Sequence, residues 1–200
     1  MRSTAYRECP GLVNESFNKS EIPPHLKDGE NAQATLDIII DFEILTDEIS
    51  CLIGLLLSYS ASDKKEIENG VKENLIYISE LVYHSSTALR IKNTITKEEI
   101  QKIESFINDL EISINPRHKK IVIPSGSTVS VICHLLRVKC NSAVRLLHRY
   151  NNNNKLNPVD ALCQDLFNLL SGYFSYTALK LNEFYEIEEI EFKSRLKRSL

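Results

Sequence analysis

Two arginines and an asparagine fall on one line in the stretch HLLRVKCNSAVRLLHR. Arg137, Asn141 and Arg145 stand at i, i+4 and i+8, so on a helix they stack along one face. Leu135, Leu136, Val138, Leu146 and Leu147 are the apolar contacts of the same segment. A guanidinium in such a setting needs a carboxylate partner or an anionic ligand, because a buried charge left alone is prohibitively costly. The spacing leaves both open: an ion pair with a neighbouring helix or subunit, or a phosphate clamp suited to the planar fork of arginine. Just upstream, IPSGS at 123–127 combines Pro and Gly into a tight turn, leaving the first N–H groups of the helix pointing forward. Such a turn serves equally as a plain helix cap. The third feature is TDEISCLIG at 46–54, where Asp47 and Glu48 sit in mid-helix beside a strongly apolar run. Either both acids face solvent or a cation meets them, and Arg137 is the partner expected for Asp47.

Other chemistries find little support. Five cysteines, an odd number with no CxxC pair, read as reduced thiols in an intracellular protein, three or four of them buried. Five histidines show no HxxxH spacing, so no metal site is expected. With 24 basic and 27 acidic side chains the net charge is −3, which provides no field to recruit nucleic acid or an anionic membrane. The longest apolar run, around Ile49 to Leu57, is about half of the roughly 20 residues that a membrane span requires. The expected location is intracellular, cytoplasmic or mitochondrial, with no membrane and no nucleic-acid partner.

The elements that must position these residues are helical. A chain of 200 residues, 42% hydrophobic and 26% charged, fits one globular domain. Residues 1–31 are polar, carry Pro10, Pro23, Pro24 and Gly29, and are expected to form a flexible amino-terminal arm. From Ala32, Leu36, Ile39, Ile40, Ile44, Ile49, Ile53, Leu56 and Leu57 recur at three- and four-residue intervals, predicting a long helix to about Tyr59. A second helix is predicted from Ser62 through Leu75, Ile78, Val82 and Leu89. A third begins at Thr96, whose spacing to Glu99 is that of a capping box. Asn115-Pro116 ends it, and the strand-like RHKKIVIPSGS leads to a fourth helix over about Thr128 to Tyr150. NNNNKLNP at 151–158 reads as an exposed loop, and a fifth helix follows from Val159 to about Tyr185. The acidic-then-basic segment 186–200 reads as a charged carboxy-terminal helical extension. With residues 32–185 as one domain, the fold class is an all-α five-helix bundle.

Taken in order, six segments resemble the PduO-type ATP:cob(I)alamin adenosyltransferases. They are ILTDEISCLIG at 44–54, NLIYISELVYHSS at 74–86, IESFINDLE at 103–111, IVIPSGS at 121–127, HLLRVKCNSAVR at 134–145 and DALCQDLF at 160–167. The family carries, in the same order, a T-x-D-E-L-N-S helix, an L-x-x-I-Q-x-x-L-F helix and an L-E-x-x-I-D helix. An F-I-L-P-G-G-S loop, an H-x-x-R-x-x-C-R-R-A-E-R helix and an N-R-L-S-D-x-L-F helix follow.

The resemblance implies the family bundle, assembled as a homotrimer, and transfer of the 5′-deoxyadenosyl group of ATP to cob(I)alamin. ATP with Mg and cobalamin would be the small molecules bound. It aligns Asp47 and Arg137 with an acid and an arginine that form a salt bridge between subunits. It places Asn141, Ser142, Arg145 and Asp160 at the nucleotide, and Ile121, Pro124 and Gly126 at the corrinoid pocket. His134 matches too, with a packed helix-face role expected.

The chain also departs from the pattern. No Thr-Lys-Thr-Gly-Asp-x-Gly phosphate-wrapping segment occurs in residues 1–35, and the Arg-Arg-Ala-Glu-Arg run is Asn141, Ser142, Ala143, Val144 and Arg145. Ile121 stands where the family has a phenylalanine that helps displace the lower axial ligand of the corrinoid. Removing a charge-assisted hydrogen bond costs about 1.5–3 kcal/mol, so without two of the arginines and the wrapping segment ATP binding is expected to be weaker by about three orders of magnitude or more. The alternative implied is a catalytically inactive member of the fold, acting as a trimeric corrinoid-binding, scaffolding or regulatory protein.

Overall fold

The computed structural model describes residues 32–62, 69–91, 95–114 and 121–193. Among them are five α-helices: α1 (Ala32–Ser62), α2 (Asn69–Ser85), α3 (Lys97–Ser113), α4 (Thr128–Asn153) and α5 (Ala161–Phe184). The expected arm at 1–31, the basic segment 117–120 and the end of the tail at 194–200 lie outside the described residues.

Helix α4 is the spine of the bundle. It packs against α5 on one side and α1 on the other, while α3 lies on α5 and α2 on α1. Val129, Ile132, Cys133, Leu136, Cys140, Ala143, Leu147 and Tyr150 recur at three- and four-residue steps and are all buried, the apolar stripe that a helix presents to a core. Helix α5 answers with Cys163, Leu166, Phe167, Leu170, Tyr173, Phe174, Ala178 and Leu181. Phe42 of α1 meets Phe167 edge-on with ring centroids 5.6 Å apart, and Tyr173 meets Phe174 likewise at 5.5 Å. Glu43 of α1 takes a two-pronged ion pair from Arg90, which follows α2, with Nη2 donating to Oε2 at 2.9 Å.

The helix ends follow local chemistry. Thr96 and Glu99 form the expected capping box: the Thr96 N–H donates to Glu99 Oε2 (2.8 Å) and the Glu99 N–H to Thr96 Oγ1 (3.3 Å). Helix α1 runs through Ser62 and α2 opens at Asn69, so the predicted start of the second helix at Ser62 is corrected. Helix α2 also stops four residues before Leu89, where the Ser85 and Ser86 hydroxyls donate back to the carbonyls of Val82 and Tyr83. The expected loop at 151–158 starts late because α4 continues to Asn153. There Asn151 Oδ1 accepts the Val159 N–H (2.8 Å), and Asn154 closes the helix on the Tyr150 carbonyl.

On α1 the buried apolar set is Leu36, Ile38, Ile39, Phe42, Leu45, Ile49, Ile53 and Leu56, and Ile44 is exposed instead of buried. The larger correction concerns the tail, whose helical reading fails over its described part. Residues 187–193 form no helix, and Glu191 forms an isolated antiparallel bridge with Val122. The alternation of isoleucine and phenylalanine with glutamate in EIEEIEF suits a strand edge as well as a helix face, and the backbone of residues 121–123 offers it a partner.

Candidate functional site

The loop before α4 is built from both of its ends. The Ile123 N–H donates to the Ile190 carbonyl and the Phe192 N–H to the Ile121 carbonyl, each at 2.8 Å, so the tail runs antiparallel to residues 121–123. Ser125 Oγ donates to the Ile123 carbonyl (2.8 Å), and Gly126 takes a φ of 117°, open to glycine and strained for other residues. Ser127 is the N-cap: its Oγ accepts the Ser130 N–H at 3.2 Å. Beneath the loop, Asn182 of α5 is fully buried. Its Oδ1 accepts the Ser127 N–H (3.0 Å), and its Nδ2 donates to the Ser125 carbonyl (3.0 Å) and to Glu189 Oε1 (3.1 Å). The loop therefore turns its side chains outward: Ile121 is 75% exposed, and Ile123, Pro124 and Gly126 are exposed too.

Along α4 the polar line continues from that loop. His134 is only 7% exposed, and among the described residues neither ring nitrogen has a hydrogen-bond partner. Its pKa lies below the usual imidazole value, first because burial disfavours the charged form and then because of the Arg137 guanidinium. The packed role expected of it holds, but with no partner for either nitrogen among the described residues. Ser130, one turn earlier, likewise has a buried hydroxyl with no partner among the described residues. Arg137 is half-buried, and Asn141 and Arg145 are exposed.

Farther along, α4 and α1 part into an open cleft of about 380 Å³, lined by Asp41, Ile44, Leu45 and Glu48 from α1 and by Ser142, Arg145, Leu146 and Arg149 from α4. Two cations thus face two carboxylates across an apolar floor. Glu48 is paired with Lys139, Nζ to Oε2 at 2.5 Å. That pair gives one of the two mid-helix acids of α1 its cation within the chain. Asp47 is exposed, and among the described residues it forms no ion pair.

The structure brings Ser142 and Arg145 together in the cleft. Asn141 lies on the adjacent face of α4, and Asp160 is elsewhere, capping α5 by accepting the Leu162 N–H at 2.9 Å. Ile121, Pro124 and Gly126 share the loop with one another and not with the cleft. Asp41, Arg149 and Asn182 were not singled out from the sequence. Asn182 had a signal, an amide in the buried register one position after Leu181, and a buried amide demands partners. Among the described residues no group of three or more His, Cys, Asp or Glu side chains is placed to hold a metal ion, and no helix is long and apolar enough to cross a membrane. Cys133, Cys140 and Cys163 are buried and Cys51 is exposed; burial, then the nearby Asp160 carboxylate, push the Cys163 thiol up to about 12, far from a reactive thiolate.

Comparison with known proteins gives one consistent result. The model of the family described as cobalamin adenosyltransferase matches residues 34–181. No curated protein matches the sequence. Among solved structures, a phenylalanine-to-alanine variant of the PduO-type ATP:corrinoid adenosyltransferase from Lactobacillus reuteri, complexed with cobalamin and ATP, superposes with a TM-score of 0.66 at 16% identity. The match covers 78% of this chain and 87% of that one. A phenylalanine-to-histidine variant with the same ligands gives the same score and identity over 84% of its length, and an arginine-to-lysine variant complexed with ATP does so over 87%. At this identity the likeness is one of fold.

Proposed function

The chain belongs to the cobalamin adenosyltransferase family, and from that premise we propose that it is a corrinoid adenosyltransferase taking ATP and cob(I)alamin as substrates. The observation that carries the proposal is the cleft between α1 and α4, where Ser142 and Arg145, the positions aligned with the nucleotide site, are brought together with Arg149. Arg145 and Arg149 lie one helical turn apart on α4 and present two guanidinium groups on the same side, a geometry suited to spanning phosphate oxygens.

In the reaction the cobalt(I) nucleophile attacks the ribose C5′. The C5′–O bond breaks, a cobalt–carbon bond forms with cobalt rising formally to the trivalent state, and triphosphate leaves with the electron pair. The arginines would stabilise the charge accumulating on that leaving group. Magnesium would arrive on the triphosphate and keep most of its water, the usual habit of this ion where no all-protein cage exists. The loop at 121–127 would face the corrinoid with Ile121, Pro124 and Gly126, and Asn141 would border the nucleotide, whereas Asp160, the N-cap of α5, lies away from this cleft.

The assembly we propose is a homotrimer. Ile44 and Leu55 of α1 and Val131, Leu135 and Val138 of α4 are exposed, an apolar area on adjacent helices that a second protomer would cover. Asp47 and Arg137 would pair across that contact, supplying Asp47 with the cation it lacks among the described residues.

A second proposal is favoured by Asn141 and Ser142, an amide and a hydroxyl where the family pattern has cations: the trimer binds a corrinoid and does not turn it over. One experiment separates the two. Under anaerobic conditions, chemically reduced cobalamin and Mg-ATP are mixed with the purified protein, and loss of the cob(I)alamin absorbance is followed as adenosylcobalamin appears. Product above the protein-free control supports the transferase. Its absence at protein concentrations near that of the substrate overturns it and leaves the binding protein.

A further inference from the structure

We infer that Asn182 is a positioning residue for the corrinoid: it sets the backbone of the 123–127 loop so that the loop side chains face the substrate. The inference rests on the proposed corrinoid adenosyltransferase activity.

The side chain of Asn182 is fully buried, and its hydrogen bonds go to the loop and the tail. Oδ1 accepts the Ser127 N–H, and Nδ2 is divided between the Ser125 carbonyl and Glu189 Oε1. One amide therefore joins the last turn of α5, the loop and the tail.

Gly126 lies between the two loop residues so held. A Cβ built on it would come within 2.2 Å of Asn182 Oδ1 and 2.4 Å of Nδ2, so the loop backbone rests directly on the amide. From the other side the tail holds Ile121 and Ile123 through their backbone groups. The side chains of Ile121, Ile123 and Pro124 are left exposed, and the loop backbone is fixed from two sides.

The bonds that start α4 are made by Ser127 itself, whose hydroxyl also donates to Asn182 Oδ1 at 3.4 Å. The N-cap is already satisfied by Ser127 Oγ accepting the Ser130 N–H, and the Ser127 carbonyl accepts the Val131 N–H at 3.0 Å. What Asn182 adds is the placement of Ser125 to Ser127 relative to α5. If that placement selects the binding-competent loop, its loss lowers the competent fraction, and the apparent dissociation constant rises by the same factor.

The test uses the full chain and two substitutions. N182A removes every hydrogen bond of the amide. N182D keeps the shape and the acceptor for the Ser127 N–H, loses both donations and sets a carboxylate against Glu189. Cobalamin binding with Mg-ATP present is measured by equilibrium dialysis, Mg-ATP binding separately, and amide hydrogen exchange over residues 121–127 by mass spectrometry, with thermal melts in parallel. Expected are faster exchange in the loop, cobalamin binding weaker by about tenfold, as loss of one net hydrogen bond implies, and unchanged Mg-ATP binding. Adding E189Q to N182D returns a donor to the pair and is expected to recover part of the cobalamin affinity, which a general loss of stability would not allow. Unchanged loop exchange, or faster exchange with unchanged cobalamin affinity, overturns the inference alone. A wild-type chain that binds no cobalamin overturns the proposed activity together with it.

Discussion

Replacing Arg145 by alanine isolates the electrostatics of the cleft. Arg145 lies on the exposed face of α4, away from the buried line through Ala143 and Leu147, so its removal opens no cavity. Thermal stability should change by no more than about 0.5 kcal/mol, as for surface positions generally. Binding should change far more. A hydrogen bond to a charged group contributes about 1.5–3 kcal/mol net, which corresponds to a roughly ten- to hundredfold rise in the dissociation constant for Mg-ATP. Arg149, one turn further along and also in the cleft, remains in the variant and should hold the effect near the lower end of that range. Isothermal titration at ATP concentrations up to the millimolar range measures it, and the affinity of the wild type should fall steeply with salt while that of the variant falls less. Equal Mg-ATP affinity in the two proteins would remove the nucleotide from this cleft.

Two further outcomes bear on assembly and on the buried histidine. Asp47→Arg should convert a trimer to a monomer by light scattering after size exclusion, because it sets like charges at the proposed Asp47–Arg137 contact; a wild-type monomer, or a trimer unaffected by the change, would defeat that pairing. His134 has its pKa lowered in the fold by burial and by Arg137, so the unfolded chain takes up the proton first as pH falls. Its contribution to stability is therefore fully present above the ordinary imidazole value of 6.5 and is lost as pH drops from there towards the lower folded value. Melting temperatures should decline over that window in the wild type and decline less in His134→Gln, and identical profiles would contradict the buried, neutral imidazole.

The sequence carried the helices because their burial is periodic, and it misplaced what depends on partners distant in the chain. Thr96 with Glu99 is a local contract between four residues, so that boundary needs no tertiary information. The predicted start of the second helix, Ser62, is instead the last residue of α1. Ile44 fits the helical spacing as well as Phe42 and Leu45 do, yet it lies on the exposed flank, since spacing alone fixes a face only to within a residue or so. The tail shows the limit most clearly: EIEEIEF is compatible with either period, and its bridge pairing depends on the backbone at Ile121 to Ile123, far away in sequence. Within the site, Ser142 and Arg145 were legible because they share one helix. Asp41 was not, since its place opposite Arg145 depends on how α1 crosses α4.

That crossing gives the cleft a charge balance that bears on how a nucleotide enters. Asp41 and Glu48 face Arg145 and Arg149, and Glu48 is already engaged by Lys139. Asp41 is then the carboxylate left to oppose an incoming triphosphate. If magnesium travels on the phosphates, the usual habit of this ion, Asp41 would act on the complex chiefly as a like charge. At separations of about 6–8 Å in a solvated cleft, a unit charge contributes roughly 0.5–1 kcal/mol per unit of opposing charge, so over the two net charges of Mg-ATP Asp41→Asn should tighten binding by about five- to thirtyfold. The gain should be larger for free ATP than for Mg-ATP, because the metal cancels two of the four negative charges. Titrations with and without magnesium decide the matter. Tighter binding in both, greater without the metal, fits a repulsive carboxylate, whereas weaker binding confined to the magnesium series would make Asp41 a ligand or a water-mediated partner of the ion and refute the charge-balance account.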